Sequence, residues 1–368
     1  MSCYTFSLAH AKDDAQLRER MASDWIEGAT AISLRREPSY FLASRLQGDK
    51  VQVIIGRDTV TGRVVAAAAR SITTVVLNGS PQRSALLSDI RVDRAHRGRG
   101  LCTQLLRALR TLDSNDPLPT YALVYDDNEP ALRSLAAART GLPQWKQFGG
   151  LTVLALRLGQ RRPELELDSV ELRRAHANEL PAIVHFLKAH RTGNWAPLLD
   201  VADFQPGGRC DTLQARDFFL AVRSGHLCAV MAAWDQSSLR QAHVERYSRP
   251  LAWMRPAYNA YAWVRSRPRL PAHGQALPYL YLAFIAVERH DPSICAALLR
   301  YTHNGLADGR WLYALAALND DDPLLSVFSA YRATHSVVRL YEVDFETRVD
   351  TTGAPSTYSR SCVEFALT

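Results

Sequence analysis

The sequence predicts an α+β protein of two domains, each a mixed and mostly antiparallel sheet flanked by helices. Three observations carry this prediction. The chain has 368 residues, which at about 100–200 residues per domain fits two domains better than one. Apolar runs of strand length alternate with stretches of helical spacing. The order of elements in residues 1–158 then starts again after a polar, proline-containing stretch at 159–168. With 47% hydrophobic and 22% charged residues, the composition excludes a disordered chain, a collagen-like repeat and a disulfide-dense mini-fold.

Residues 3–8 read as a strand and Asp14 to Trp25 as an amphipathic helix. The runs Val51–Arg57 and Arg63–Leu77 flank the Thr61-Gly62 turn and predict antiparallel strands. A strand at Ala85–Val92 leads into a glycine-containing loop and a helix with Leu101, Leu105, Leu106 and Leu109 on one face. A strand at Tyr121–Tyr125, a helix opening near Asn128-Glu-Pro-Ala131 and a strand at Leu151–Leu158 complete this half.

After the 159–168 linker, a strand at Val170–Arg173 precedes a helix at Asn178–His190. Strands Phe218–Val222 and Leu227–Trp234 flank the Ser224-Gly225 turn. A strand at Leu280–Val287 is followed by a helix at Asp291–His303, whose Asp291-Pro292 start supplies a cap and a first-turn proline. Strand Trp311–Leu318, helix Pro323–Ala333 and strand Ser336–Phe345 close the half. The repeated order reads as a tandem duplication, with domains at 1–158 and 169–368.

The N-terminus lacks a basic start followed by an apolar core, and no apolar run reaches the ~20 residues a membrane helix needs. Six widely spaced cysteines without a Cys-x-x-Cys pair fit reduced, mostly buried thiols in a cytoplasmic protein. Scattered single histidines give no metal-ligand spacing, so no metal is expected. The net charge is +7, and only Lys12, Lys50, Lys146 and Lys188 are lysines. So arginine-rich a balance could serve phosphate recognition, but genome-wide codon bias is the preferred reading.

The stretch Ile90 to Cys102 carries the chemistry. A strand ends, glycines allow a sharp turn, and a helix begins. Unpaired amides and the dipole at such a helix start favour an anion, so the stretch is a candidate pyrophosphate cradle. Arg97 and Arg99 are candidates for charge-assisted bonds to it.

Ser88 to Leu106 resembles motif A of the GNAT-type N-acetyltransferase superfamily, a strand followed by Arg/Gln-x-x-Gly-x-Gly/Ala and an amphipathic helix. The match is Arg97-Gly98-Arg99-Gly100-Leu101-Cys102, with Cys102 where Gly or Ala usually stands. Tyr121–Tyr125 followed by Asn128-Glu-Pro-Ala131 looks like the family's fifth strand and next helix, and Gly141-Leu142 stands where Gly-Phe usually ends that helix. The resemblance covers residues 1–158 in element order, with specific motifs only in these two stretches. It implies two GNAT-like domains and acetyl-CoA or another acyl-CoA in a cleft between the fourth and fifth strands. Ile90, Arg91, Val92, the 97–102 loop and Asn128 would hold that cofactor, Asn128 facing the pantetheine arm.

The resemblance also implies direct attack of an amine on the thioester, with a base taking the amine proton. A main-chain amide at or near Val92 would meet the oxyanion. Asp89 is the first candidate for base or amine-binding carboxylate, its alternative being a simple ion pair with an arginine such as Arg91. The family's usual acid, a tyrosine, falls at Leu135 here, so the expected proton donor is missing. Tyr125 is a candidate substitute, or else a wall of the core or cleft.

In the second half the corresponding junction, Ile285 to Cys295, has no glycine, and Glu288 and Asp291 would repel a pyrophosphate. A degenerate domain is expected there. Between residues 240 and 278 arginines interleave with Tyr247, Trp253, Tyr258, Tyr261 and Trp263. This insertion reads as a helix covering the core, as a substrate lid, or as a nucleic-acid surface. The expected function is acyl-CoA-dependent N-acyl transfer, most simply of acetyl, to a primary amine of a small molecule or peptide. The alternative is a non-catalytic acyl-CoA-binding or scaffold protein. A monomer or homodimer is expected, without a membrane or nucleic-acid partner.

Overall fold

The computed structural model describes residues 3–135, 142–307, 309–331, 334–345 and 361–368. In the first half, β1 (Tyr4–Leu8) and α1 (Asp14–Ser23) precede β2 (Trp25–Ile26), β3 (Thr30–Arg35) and the short α2 (Tyr40–Ser44). Then come β4 (Lys50–Asp58), β5 (Val64–Leu77), β6 (Ser80–Val92), α3 (Leu101–Asn115), β7 (Thr120–Tyr125), α4 (Glu129–Leu135) and β8 (Gln144–Arg157). The second half runs β9 (Val170–Arg174), α5 (Leu180–His190), β10 (Ala196–Pro197), β11 (Phe218–Arg223), β12 (His226–Trp234) and β13 (Gln241–Tyr247). It continues with α6 (Arg249–Val264), β14 (Tyr279–Val287), α7 (Pro292–Leu306), β15 (Tyr313–Asn319), α8 (Leu325–Ser329) and β16 (Thr334–Asp344).

The small, apolar sequence of β5 lets both of its faces be covered. Val64, Ala67 and Ala69 pack with Leu17 and Met21 of α1, while Val65, Ala66 and Ala68 pack with α3. The four leucines anticipated on one face of α3 are all buried there, each contributing about 2 kcal/mol of apolar burial.

The mixed sheet and its flanking helices match the expected class. Where two sheets were expected, the strands form one 13-stranded sheet in the order β1-β4-β5-β6-β7-β16-β8-β15-β14-β12-β11-β9, with β10 on β5. Among the described strands, β6–β7 and β14–β15 pair in parallel and the other pairs are antiparallel. The join between halves is an exchange. The last strand of the second half, β16, pairs with β7, and the last strand of the first half, β8, pairs with β15. These two strands also pair with each other from Thr334↔Ala155 to Asp344↔Gln144. Each parallel pair is thus closed by the other half's final strand, and the 1–158 and 169–368 segments share one sheet.

The insertion also departs from one expectation. Its strand β13 pairs with β3 of the first half in a separate three-stranded sheet with β2. Trp253 and Trp263 of α6 do not cover the core but stand exposed. The helix expected at Pro323–Ala333 is confined to α8, with Arg332 and Ala333 outside the described residues.

Candidate active site

The site begins where β6 and β7 part. They pair from Ala85↔Thr120 to Leu87↔Ala122. Beyond that point the β6–β7 pairing stops while β7 keeps its other edge on β16, from Tyr121↔Glu342 to Tyr125↔Val338, so β6 and β7 part and leave a cleft beside Ser88–Val92. The divergence has a local cause. Against β5 the register runs Ala69↔Ser88 and then Ala67↔Arg91, so Asp89 and Ile90 together oppose Ala68. This is a β-bulge, and Asp89 occupies the left-handed region at φ 53°. The bulge frees the β6 backbone toward the cleft.

The chain leaves β6 through Asp93, whose side chain accepts from the Ala95 amide, and a 3-10 turn at Arg94–His96. Gly98 and Gly100 have φ of 77° and 75°, and a Cβ at either position would point into open space. Gly100 is the N-cap of α3 and has no side chain to satisfy its first amides. The lack of a side-chain cap, the helix dipole and an open approach are features that favour an anion at this helix start. Leu101 anchors it in the core, and Cys102, half-buried, has its thiol pKa raised by burial. Ile90 and Val92 pack on the α3 core, supporting the loop from below.

The two loop arginines turn elsewhere. Arg97 donates from Nε to the Val92 carbonyl at 3.2 Å and lies 3.8 Å from Asp24. Arg99 donates to the Tyr4 hydroxyl at 2.9 Å, which in turn contacts His96 Nδ1 at 2.9 Å. Asn128 Oδ1 accepts from the Ala131 amide at 3.3 Å, so this side chain caps α4. Gly141 and the Leu135 side chain, which the resemblance singled out, lie outside the described residues.

Asp89 is caged. Arg36, just after β3, donates to its carboxylate at 2.6 Å, and the Tyr40 hydroxyl of α2 does so at 2.8 Å. Its side chain is 11% exposed. Arg91, the partner anticipated for it, instead faces Asp24 at 3.9 Å. Burial pushes the Asp89 pKa up, but Arg36, Arg91, the Tyr40 hydroxyl and Arg240 more than offset it, holding it below the usual carboxylate range. A carboxylate so stabilised is a poor proton acceptor.

The second half completes the surroundings. Burial, then the nearby Arg36, lowers the Arg240 pKa to about 10. Arg240 donates to the main-chain oxygen of Thr368 at 2.7 Å, and its Nε and Nη2 are buried with no hydrogen-bond partner among the described residues. Tyr279 and Tyr281 of β14 pack edge to face at 5.6 Å and lie within electrostatic reach of Arg240. Burial, then Tyr281 and Asp127, raises the Tyr125 hydroxyl above its usual pKa, so it stays protonated, a hydrogen-bond donor but a weak acid. Sequence reasoning missed Arg36, Tyr40, Arg240, Tyr279 and Tyr281.

The equivalent place in the second half is built differently. Phe284 has φ 53° at a bulge in β14, matching Asp89. At the start of α7, however, Asp291 Oδ1 accepts from the Ser293 and Ile294 amides at 2.8 and 3.3 Å. The chain's own carboxylate therefore occupies the amides that an anion would need.

Residues 16–137 match the model of the acetyltransferase (GNAT) family. A GNAT-type N-acetyltransferase from Sphaerobacter thermophilus has a similar structure at 12% identity, covering 95% of this chain and 98% of that one with a TM-score of 0.57. A Saccharomyces cerevisiae N-myristoyltransferase with bound myristoyl-CoA is similar at 10% identity, covering 94% and 83% with a TM-score of 0.62. No curated protein sequence matches the chain. A stretch of the first half thus matches the GNAT family model, and the whole chain has the fold of these solved acyltransferases.

Proposed function

We propose that this chain is an acyl-CoA-dependent N-acyltransferase, acting with acetyl-CoA in the first instance on a primary amine of a small molecule or peptide. The observation that carries the reading is the parting of β6 and β7 after Leu87, beside the uncapped start of α3. Pyrophosphate suits the Gly98–Gly100 turn, and the acyl thioester suits the cleft beyond it. The amine nitrogen attacks the thioester carbonyl carbon, a main-chain amide among Ile90–Val92 steadies the oxyanion, and the carbon–sulfur bond breaks to release CoA thiolate. Tyr125, kept protonated, is the candidate hydrogen-bond donor to that thiolate, and the proton the sulfur takes comes from water. Asp89 acts as a positioning residue that holds Arg36 and Tyr40 in place. The amine proton leaves through water rather than onto this carboxylate.

Acetyl-CoA and longer acyl-CoA esters, each offered with a panel of amines, test the reading by release of free thiol. Amine-dependent release is expected with at least one ester. The depressed pKa of Asp89 favours a second reading, an acyl-CoA-binding protein without turnover. CoA binding without any amine-dependent release would establish that reading, and absence of CoA binding would sink both.

A further inference from the structure

Helix α6 has its polarity inverted. Its inward row, Leu251, Arg255, Tyr258, Asn259 and Ala262, is partly or fully buried. Polar bonds fasten that row: Arg255 Nε donates to the Leu270 carbonyl at 3.2 Å, and Asn259 Oδ1 accepts from the Leu270 amide at 2.8 Å. The outward face carries Trp253, Val264 and Trp263, exposed by 85%, 75% and 70%, together with Met254 and Tyr261. The remaining exposed residues between Pro250 and Val264 are alanine or proline, so this solvent face has no charge.

The charge lies around the face. From Arg246 to Val287 the sequence has six arginines and no aspartate or glutamate. Arg249 opens the helix, and Arg265 and Arg269 follow its end, all three exposed. Arg267 stacks over the Tyr261 ring at 5.2 Å. The two tryptophans, ten residues apart, stand about 15 Å apart along the axis. An uncharged helix face of this size is not left to water without a partner.

We propose that α6 docks flat on the surface of an anionic phospholipid bilayer, with Trp253, Met254, Trp263 and Val264 in the boundary region and the flanking arginines on lipid phosphates. Tryptophan and tyrosine favour that boundary because each has an apolar body and a polar edge. Arginine holds phosphate bidentately, and its stem reaches from an apolar floor to the headgroups. Contact is with the surface, since no described helix is long and apolar enough to cross a membrane. A second copy is a poorer occupant, because antiparallel packing would set Arg249 against the partner's Arg265 and Arg269. A nucleic acid would gain neither stacking nor phosphate bonds from Met254, Val264 and the alanines.

Vesicle sedimentation at low salt tests the proposal. Vesicles of phosphatidylcholine alone are compared with phosphatidylcholine containing about one part in three of phosphatidylserine. The protein is expected to sediment with the anionic vesicles, its tryptophan emission shifting to the blue. Trp253→Ser with Trp263→Ser should weaken that binding at least about tenfold at unchanged melting temperature. Arg265→Ser with Arg269→Ser should remove the preference for anionic vesicles. Failure to sediment with either vesicle overturns the proposal, as does binding indifferent to the tryptophans. Self-association or oligonucleotide binding that depends on Trp253 and Trp263, without vesicle binding, would assign the face to another partner.

Discussion

Asp89, a candidate for reactivity, is held by Arg36 and Tyr40. Its strand position and acidic side chain were visible in the sequence. Its partners were not, because Arg36, Tyr40 and Arg240 arrive from distant elements with no motif of their own. Asp89→Asn would leave Arg36 without its ion-pair partner and Arg240 with a neighbouring arginine but no carboxylate to offset it. Breaking a buried pair costs about 3–5 kcal/mol, so the urea midpoint should fall by a corresponding amount. The pH dependence follows from the sign of the shift. A carboxylate with a depressed folded pKa contributes stability that is complete above the unfolded value of about 3.9 and is lost as pH falls through the folded pKa. Stability conferred by Asp89 should therefore be constant from neutrality to about pH 5. For turnover, any acid limb near neutrality belongs to another group, and a pH–rate profile of the Asn variant should keep that limb. A displaced limb would restore Asp89 as the base.

At the scale of elements, helix periodicity and turn glycines were readable because they act through near neighbours. The buried face of α3 and the strands around Thr61-Gly62 and Ser224-Gly225 follow the pattern closely. The start of β8 at Gln144 was missed, since Gln144, Lys146 and Gln147 look like loop until their pairing with β16 is known. The two helix starts beside the parallel strand pairs make contrasting predictions. Gly100→Val forces a β-branched residue into a left-handed conformation at about 1–2 kcal/mol. The fold should survive, while calorimetry should record at least about tenfold weaker acyl-CoA binding. Asp291→Ala removes a cap worth about 1 kcal/mol. It should lower the melting temperature and leave thiol release unchanged, whereas a loss of turnover would give α7 a part in the chemistry.

For the whole molecule, the repeat of elements was legible but the exchange of β8 and β16 was not, because pairing across almost two hundred residues leaves no local trace. Residues 1–158 expressed alone should lack a cooperative unfolding transition, since β7 loses β16 and β8 loses both neighbours. Denaturation of the full chain, followed by circular dichroism and tryptophan fluorescence, should give coincident curves. Two separated transitions would mean that the halves stand independently. The crossing of final strands also bears on inheritance. A deletion of the codons after residue 168 would remove β16, the strand that pairs with the outer edge of β7, so a gene trimmed to its first half is expected to encode a chain that does not fold as a unit. If the truncated chain fails to fold, the second half's reading frame is kept for the strand it lends to the first.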